Sequence, residues 1–194
     1  MNALALAPEQ LDQHEADAAL AERAARGDDR AVRWIVDRHL GPITRFAYRM
    51  LGDASEAEDI AQEAFLRLWR ELPRWEPRAR LTTWLHKVAH NLCVDRLRAR
   101  RPMSGQDAPE LVDPRGEPLS QLEAHQRSHA VARALAELPE RQRAAVTLVY
   151  HQGLSNKQAA EVLGIEIDAL ESLLARGRQN LRKRLMQPQG AAGV

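Results

Sequence analysis

Apolar residues recur every three or four positions along most of this 194-residue chain, and this spacing constrains the fold more than any other feature. Between Ile60 and Leu72, for example, six apolar side chains fall on one face of a helix. No segment sustains the alternating pattern that a half-buried strand requires. The sequence therefore predicts an all-α protein whose amphipathic helices bury their apolar stripes against one another.

One segment interrupts this pattern and divides the chain. Residues 102–120 contain four prolines, two glycines and four acidic residues, without any apolar period. Such a composition buries too little apolar surface to offset the entropy of folding, so we predict a flexible acidic linker. We expect two small helical domains, a helical bundle over residues 20–101 and a second domain over residues 121–186. A flexible N-terminus over 1–19 and a disordered tail over 187–194 complete this division.

Breakers and caps predict where the helices of the first domain begin. Gly41 and Pro42 are expected to separate two helices within residues 28–51, because proline suits the first turn of a helix. The Ser55–Glu58 segment has the spacing of a capping box and is expected to start the next helix. A further helix is predicted from about Thr82 to Arg101.

The most specific local signal is a helix-turn-helix pattern at residues 156–175. This motif requires a small residue where the helices cross, a turn residue that tolerates positive φ, and an apolar anchor under the second helix. The residues at these positions are Ala160, Gly164 and Leu170. A capping box at Ser155–Gln158 is expected to start the first helix, Asp168 to cap the second, and Leu185 to point inward. The alternative is a plain helical hairpin with a glycine cap.

Charge is segregated along the chain, although 28 basic and 27 acidic residues nearly cancel overall. Residues 74–101 carry eight basic and two acidic side chains, and residues 138–194 carry eight and five. The intervening segments are net acidic. Because an anionic polymer responds to local fields, both basic blocks are candidates for contact with nucleic acid.

The basic helix at 82–101 has a polar face opposite its apolar stripe. Trp75 and Trp84 lie in the same block, and aromatic rings among cations suit single-stranded nucleic acid. The spacing of Trp84 matches the apolar stripe and favours a mostly buried side chain. For the cations, the alternative to a nucleic-acid contact is an ordinary solvated helix face. The polar-face residues are Lys87, Asn91, Asp95, Arg98 and Arg101.

The helix at 56–72 also has a polar face, and that face carries an exposed leucine. Either a protein-docking surface or an ordinary solvated face accounts for this pattern. Its residues are Asp59, Gln62, Glu63, Leu66 and Arg70.

The sequence offers no candidate catalytic residue, because it lacks a glycine-rich phosphate loop, a nucleophile elbow and a plausible carboxylate pair. His86/His90 and His125/His129 are spaced four apart, but a third ligand is missing, so we expect polar-face histidines and no metal or cofactor. The lone Cys93 excludes an internal disulfide and is expected in the core. No apolar run approaches a membrane span, and the first residues lack a secretory signal, so we expect a cytoplasmic protein.

Together these residues resemble the extracytoplasmic-function (ECF) class of the sigma-70 family of bacterial RNA polymerase sigma factors. The resemblance covers residues 20–186. Its carriers are DASEAEDIAQEAFLRLW at 53–69, TWLHKVAHNLCVDRLR at 83–98, and LPERQR at 138–143 followed by the helix-turn-helix.

The resemblance implies a role for each face. The residues implied to dock on the polymerase β′ clamp helices are Asp59, Gln62, Glu63, Phe65, Leu66 and Trp69. Those implied to melt the −10 element and capture a flipped base are Arg80, Trp84, Lys87, Asn91, Asp95, Arg98 and Arg101. Those implied to contact the −35 element are Lys157, Asp168, Glu171, Ser172, Arg176, Arg178 and Lys183, and the same domain contacts the β flap in the family.

The implied activity is that of an alternative, non-enzymatic sigma factor that directs transcription initiation in a stress response. Its implied partners are core RNA polymerase, promoter DNA and an anti-sigma factor, which in this family can be membrane-anchored, with no small-molecule substrate. Four positions depart from the family pattern: Ala169, Leu170 and Glu171, where a threonine, a valine and a basic residue are common, and Gly177, where alanine is usual. An autonomous helix-turn-helix regulator with a helical sensor domain, and a helical metal sensor, are the alternatives.

Overall fold

The computed structural model describes residues 13–75, 80–100 and 131–186, and within these ranges the chain is helical without a β-strand. The N-terminal half contains α1 (Gln13–Ala25), α2 (Asp29–Leu51), α3 (Ala54–Glu71), a 3₁₀ turn (Leu72–Arg74) and α4 (Leu81–Arg100). The C-terminal half contains helical residues 131–136, α5 (Glu140–Val146), a π-helical segment (Thr147–His151), α6 (Asn156–Leu163) and α7 (Ile167–Met186). The all-α prediction is confirmed.

The helices of the N-terminal half share one core. α2 packs against α1, α3 and α4, and its inward face contains the fully buried side chains Ile35, Ile43 and Phe46. Leu68 of α3 and Leu85 of α4 are also fully buried. The helical spacing of these apolar residues directs them to a common interior, as the sequence pattern predicts.

α2 is one continuous helix, so the predicted break at Gly41–Pro42 is wrong. Pro42 lies inside α2 and removes one backbone hydrogen-bond donor. The inward stripe continues across it, with Ile35 and His39 buried before the proline and Ile43 and Phe46 after it. Packing on α3 and α4 therefore keeps the segments before and after Pro42 in one helix.

Two predicted helix starts also differ from the structure. The cap of α3 is Asp53, which accepts a hydrogen bond from the Glu56 backbone N–H at 2.9 Å, so Ser55 is not the cap. α7 begins at Ile167, which places Asp168 in its first turn, where a carboxylate favours the positive end of the helix dipole. Both differences are small shifts of a correctly expected helix start.

α1 begins at Gln13, inside the segment that the sequence analysis assigns to a flexible N-terminus. Ala21 is fully buried and Ala24 nearly so, because α1 packs on α2 and on the 3₁₀ turn. Asp28 then caps the start of α2, because its side chain accepts hydrogen bonds from the backbone N–H groups of Arg30 at 2.9 Å and Ala31 at 3.3 Å. α1 is thus an integral part of the bundle.

The C-terminal half has the predicted helix-turn-helix. Ser155 and Gln158 form a reciprocal capping box, Gly164 ends α6 with a φ of 62°, and Leu170 is fully buried. Leu185 was expected to point inward but is 49% exposed. α7 is 20 residues long and α5 only seven, and the end of α7 is open to solvent, with Met186 68% exposed.

The two halves pack against each other along a contact that we call the seam. In the seam α6 lies against α4, while α5 and the π-helical segment lie against α2. Arg143 crosses it, because its Nη1 donates to the Met50 carbonyl at 2.6 Å and its Nη2 donates to the Ala136 and Leu138 carbonyls at 2.5 and 3.2 Å. The buried side chains of both halves form one continuous core.

Candidate functional site

An exposed polar strip runs along the solvent side of α4. Lys87, Asn91, Asp95 and Arg98 are all exposed, and steps of four, four and three residues keep them on one face. From Lys87 to Arg98 the strip is about 16 Å long, roughly the length of five stacked nucleotides. Arg80 is half-buried just before the helix, and Arg101 lies outside the described residues. The face predicted from the sequence is therefore open to a ligand.

Two tryptophans stand beside the start of this strip. Trp75 and Trp84 contact edge to face, with ring centroids 5.7 Å apart and planes at 73°. Both side chains are half-buried against the core. Trp84 thus has a packing role, as its spacing predicts, and also a solvent-facing part next to the cations.

Not every cation of the basic block is available for a ligand. Glu56 at the start of α3 pairs with Arg100 and lies 3.7 Å from Arg96, and Arg100 also donates to the Leu51 carbonyl at 3.0 Å. These contacts tie the end of α4 to the α2–α3 corner. Lys87 and Arg98 are the strip cations outside that network.

The polar face of α3 is mostly as exposed as its sequence predicts. Phe65 is an exception, because it is only 6% exposed and contacts Trp69 with ring centroids 5.9 Å apart. It therefore supports the face from below, and its contact with the polymerase stays a prediction. Leu66 is 48% exposed, an apolar side chain between acidic and amide groups. The remaining residues of this face are Asp59, Gln62, Glu63 and Trp69, of which Glu63 and Trp69 are half-buried.

The helix-turn-helix presents a long exposed face. It is acidic over the first turns of α7 and basic further along, a gradient that would place cations rather than carboxylates near phosphates. Arg178 is fixed by donating to the Tyr150 hydroxyl at 3.0 Å. The exposed residues predicted to contact DNA are Lys157, Asp168, Glu171, Ser172, Arg176, Arg178 and Lys183.

Gly177 does not belong to that face. It is buried against α5, where an added Cβ would lie 2.7 Å from Val146 Cγ2 and 3.7 Å from the Gln142 carbonyl. Next to it, Asn180 donates to the Gln142 side-chain oxygen at 2.8 Å. The glycine that departs from the usual alanine therefore serves close packing of two helices.

The histidines of α4 are not polar-face residues, contrary to expectation for His86. Its ring is 1% exposed, its Nδ1–H donates to the Thr82 carbonyl at 2.8 Å, and its centroid lies 5.6 Å from that of Phe46. Burial lowers the pKa of His86 and of the half-buried His90. Sequence periodicity missed this because Phe46 of α2, distant in the sequence, packs on the His86 ring.

The described residues also offer no site for redox or metal chemistry. Cys93 is buried, as expected, and burial raises the pKa of its thiol to about 12, so it is a poor nucleophile. No group of three or more His, Cys, Asp or Glu side chains in the described ranges could hold a metal ion. None of the helices in those ranges is long and apolar enough to cross a membrane. His125 and His129 lie outside the described residues.

Two residues that organise these faces were missed by sequence reasoning. Arg143 fastens the seam, and Asp17 of α1 accepts a hydrogen bond from the Leu81 backbone N–H at 3.0 Å, 64 residues away. Arg143 lies in the LPERQR motif, which was recognised without a role for this side chain. No local signal could have revealed Asp17, because its partner is distant in the sequence.

Comparison with family models and known proteins gives matches to both halves. Sigma-70 region 2 matches residues 35–102, and Sigma-70, region 4 matches residues 128–181. ECF RNA polymerase sigma factor SigW of Bacillus subtilis (strain 168) is 33% identical over 176 residues, which covers 84% of this chain and 94% of SigW. The two matched regions contain the α4 strip and the helix-turn-helix, respectively.

Solved structures have the same architecture. CnrH in complex with the cytosolic domain of CnrY aligns over 88% of this chain and 97% of that chain, with a TM-score of 0.67 and 28% identity. The sigma factor RpoE, in complex with the anti-sigma factor NepR from Bartonella quintana, aligns over 81% of this chain and 98% of that chain. Its TM-score of 0.68 at 21% identity shows a shared fold.

Proposed function

The chain belongs to the ECF class of the sigma-70 family of RNA polymerase sigma factors, and on this premise we propose how its two halves direct transcription initiation. It is an alternative sigma factor that binds core RNA polymerase, contacts the −35 and −10 promoter elements and promotes DNA melting. It works in the cytoplasm, without catalysis or a cofactor of its own. The observation that carries this proposal is an exposed strip on α4 and an exposed helix-turn-helix face in one chain.

The exposed face of α3 docks on the β′ clamp helices. Leu66 supplies the apolar contact at its centre, and Asp59, Gln62 and Glu63 surround it with polar groups. An apolar anchor within a polar rim is the usual composition of a protein interface. Phe65 packs beneath the face against the half-buried Trp69 and so supports it.

The strip on α4 binds the −10 element. Lys87 and Arg98 contact phosphates of the opened strand, because their charges are not engaged by Glu56 as those of Arg96 and Arg100 are. The exposed part of Trp84 stacks on an unpaired base, with Trp75 supporting its ring. Asn91 is placed to hydrogen-bond to a base edge or to the backbone.

The helix-turn-helix binds the −35 element as a duplex. Arg176, Arg178 and Lys183 contact phosphates, while Glu171 and Ser172 face the major groove. A carboxylate in the groove accepts a hydrogen bond from the N4 amino group of cytosine, so Glu171 confers a base preference that relatives with a basic residue would lack. The same half also contacts the polymerase β flap.

An anti-sigma factor holds the protein inactive. This part of the proposal is supported by the CnrH neighbour, which was solved with the cytosolic domain of a second protein bound to it. The described surfaces of α3, α4 and α7 are those that such a partner would have to cover. A partner anchored in the membrane through another domain is compatible with this arrangement.

Run-off transcription with core RNA polymerase and a library of promoter sequences tests the proposal. We expect transcripts that require both the polymerase and this protein, and only weak binding of duplex DNA by the protein alone. If no template gives polymerase-dependent initiation, the proposed function is wrong. Tight duplex binding without polymerase would instead favour an autonomous helix-turn-helix regulator.

The double variant Lys87→Ala with Arg98→Ala tests the −10 assignment. Loss of two phosphate contacts should weaken holoenzyme binding to the opened strand and reduce its salt slope by about 1.4, since each single-strand contact contributes about 0.7. Fluorescence anisotropy with a labelled non-template oligonucleotide measures both. Arg26→Ala with Arg33→Ala removes two exposed cations elsewhere and should change neither. An unchanged salt slope in the Lys87→Ala, Arg98→Ala variant would contradict the assignment of the α4 strip to the −10 element.

A further inference from the structure

The start of α4 lacks a capping residue of its own. The first N–H groups of a helix have no partner within it and are usually satisfied by a side-chain oxygen just before the helix. Here the four preceding residues are Pro77, Arg78, Ala79 and Arg80, none of which has a side-chain acceptor. The residues just before α4 therefore supply no side-chain cap for its first turn.

Asp17 supplies that acceptor from α1. Its Oδ2 accepts from the Leu81 backbone N–H at 3.0 Å, in a partly buried position. The carboxylate also places a negative charge at the positive end of the α4 dipole, within the most basic block of the chain. Asp17 lies outside residues 35–102, the extent of the region 2 match, so that match assigns it no role.

α1 is a rigid support for this carboxylate. Ala21, one turn after Asp17, is fully buried, and α1 packs on both α2 and the 3₁₀ turn. That turn leads directly into Trp75, whose ring contacts Trp84 in the first turn of α4. The hydrogen bond to Asp17 thus links α1 to the start of α4, while α1 also packs on the 3₁₀ turn that leads to Trp75.

We propose that Asp17 is a positioning residue for promoter opening, which caps α4 and so sets where Trp84 and Lys87 meet the opened strand. The proposal rests on the assignment of the α4 strip to the −10 element. Trp84 and Lys87 lie three and six residues after the capped Leu81, within the two turns that the cap orders. Without the cap the first turn frays, and these side chains lose their fixed positions relative to Trp75.

The test uses the full-length protein with core polymerase, on a promoter obtained from the run-off screen. Asp17→Ala should reduce the equilibrium constant for opening of that promoter about fivefold, the factor that one cap is typically worth. Permanganate reactivity of unpaired thymines measures opening, and fluorescence anisotropy measures binding to core polymerase. Binding to core polymerase should remain unchanged, because the proposed polymerase contacts lie on α3 and the capped turn lies on α4.

Asp17→Asn and Glu22→Ala are the matched variants. The asparagine retains a side-chain oxygen that can accept the Leu81 N–H and should keep most of the opening activity. Glu22 is an exposed acid on the same helix, and its removal should leave opening unchanged. This pair separates loss of the cap from loss of one negative charge on α1.

Each outcome decides the proposal. Equal losses in polymerase binding and in opening would show that Asp17→Ala lowers only the folded fraction, and would overturn a positioning role. A fivefold or greater loss of opening in Asp17→Asn relative to the wild type would overturn the hydrogen-bonded cap, and this outcome can be read even if the alanine variant fails to fold. Failure of the wild-type protein to open any promoter would instead overturn the proposed function itself.

Discussion

Gly177 allows α7 to approach α5 more closely than any other residue would. An added Cβ would lie 2.7 Å from Val146 Cγ2, well inside van der Waals contact. We expect Gly177→Ala to destabilise the protein by about 1 kcal/mol, because overpacking of about 1–3 kcal/mol exceeds the helix-propensity gain of up to about 1 kcal/mol. Urea denaturation measures the change. In a Val146→Ala background the clash disappears, so Gly177→Ala should then be neutral or stabilising, and equal losses in both backgrounds would contradict this explanation.

Leu66 is the residue on which the α3 docking face depends most. Its exposed position means that Leu66→Ala should change the free energy of unfolding by less than about 0.5 kcal/mol. The same substitution should weaken core polymerase binding about tenfold, as expected for an apolar anchor at an interface. Leu40→Ala removes a similarly exposed leucine from α2, 40% exposed against 48% for Leu66. A comparable loss of binding in both variants, by fluorescence anisotropy, would contradict the proposed face.

At the scale of single elements, the capping box of α6 has a measurable share in stability. Ser155 accepts from the Gln158 backbone N–H at 3.3 Å, and the Gln158 side chain accepts from the Ser155 N–H at 2.9 Å. Ser155→Ala should cost about 1 kcal/mol in thermal or urea unfolding. Ser172→Ala, an exposed serine within α7, should cost no more than about 0.5 kcal/mol. A similar effect of the two substitutions would mean that the box contributes nothing.

Elements with local signals could be predicted from the sequence, and those held by distant residues could not. The α6 box, the Gly164 turn and the period of α3 and α4 depend on residues within one or two turns, and all three predictions hold. Pro42 inside α2 and the start of α1 depend on packing against elements far along the chain. Propensity alone gives the wrong answer there, because buried apolar contacts outweigh the loss of one hydrogen bond.

The candidate site divides in the same way. The exposed residues of the α4 strip were predictable, since a helix has only one face opposite its core stripe. His86 was not, because its burial depends on packing against Phe46 of α2, 40 residues earlier in the chain. Spacing along the sequence likewise does not predict the burial of Phe65 or the hydrogen bond from the Leu81 N–H to Asp17. Both depend on how the helices pack in three dimensions.

For the whole molecule, three buried or half-buried histidines and the more exposed His151 make stability depend on pH. Burial lowers the pKa of His39 to about 4 and lowers those of His86, His90 and His151 in the same direction. The unfolded chain therefore binds more protons than the folded one at acidic pH, and stability is full above about pH 6.5 and falls as the pH drops toward 4.

His39 contributes the largest defined part of this dependence. A decrease from 6.5 to about 4 corresponds to about 3 kcal/mol of stability between neutral pH and pH 4. Chemical denaturation at a series of pH values measures how much stability is lost between neutral pH and pH 4. The substitution His39→Asn should reduce that loss by about 3 kcal/mol. The comparison concerns this loss, so it remains valid if the variant is less stable at every pH. An unchanged loss would contradict the assignment to His39.

If the two halves bind the promoter elements as proposed, the packed halves must separate on a promoter. Sites centred near −35 and −10 are about 25 base pairs apart, or about 85 Å at 3.4 Å per base pair. In this structure α6, the first helix of the helix-turn-helix, lies against α4, which carries the −10 strip. Residues 101–130 connect the halves, and 30 extended residues reach about 100 Å, so the chain is long enough for both sites.

Arg143 is the residue whose loss should favour this separation. Its guanidinium bonds carbonyls on both sides of the seam, so Arg143→Ala removes the cross-link and leaves the Met50 carbonyl without it. Fluorophores on Ser55→Cys and Glu161→Cys, both exposed positions outside the proposed contact residues, report the distance between halves by energy transfer. Cys93 is unreactive toward the label, because burial raises the pKa of its thiol to about 12.

We expect high energy transfer in the free protein and a marked decrease when core polymerase and promoter DNA bind. Arg143→Ala should lower the transfer in the free protein already, while Arg141→Ala, an exposed arginine on the same helix, should not. Opening the seam in advance removes a cost that binding otherwise has to overcome, so Arg143→Ala should also bind promoter DNA more tightly as holoenzyme. Constant transfer on holoenzyme formation would mean that the seam survives binding, and the two halves could not then occupy both promoter elements.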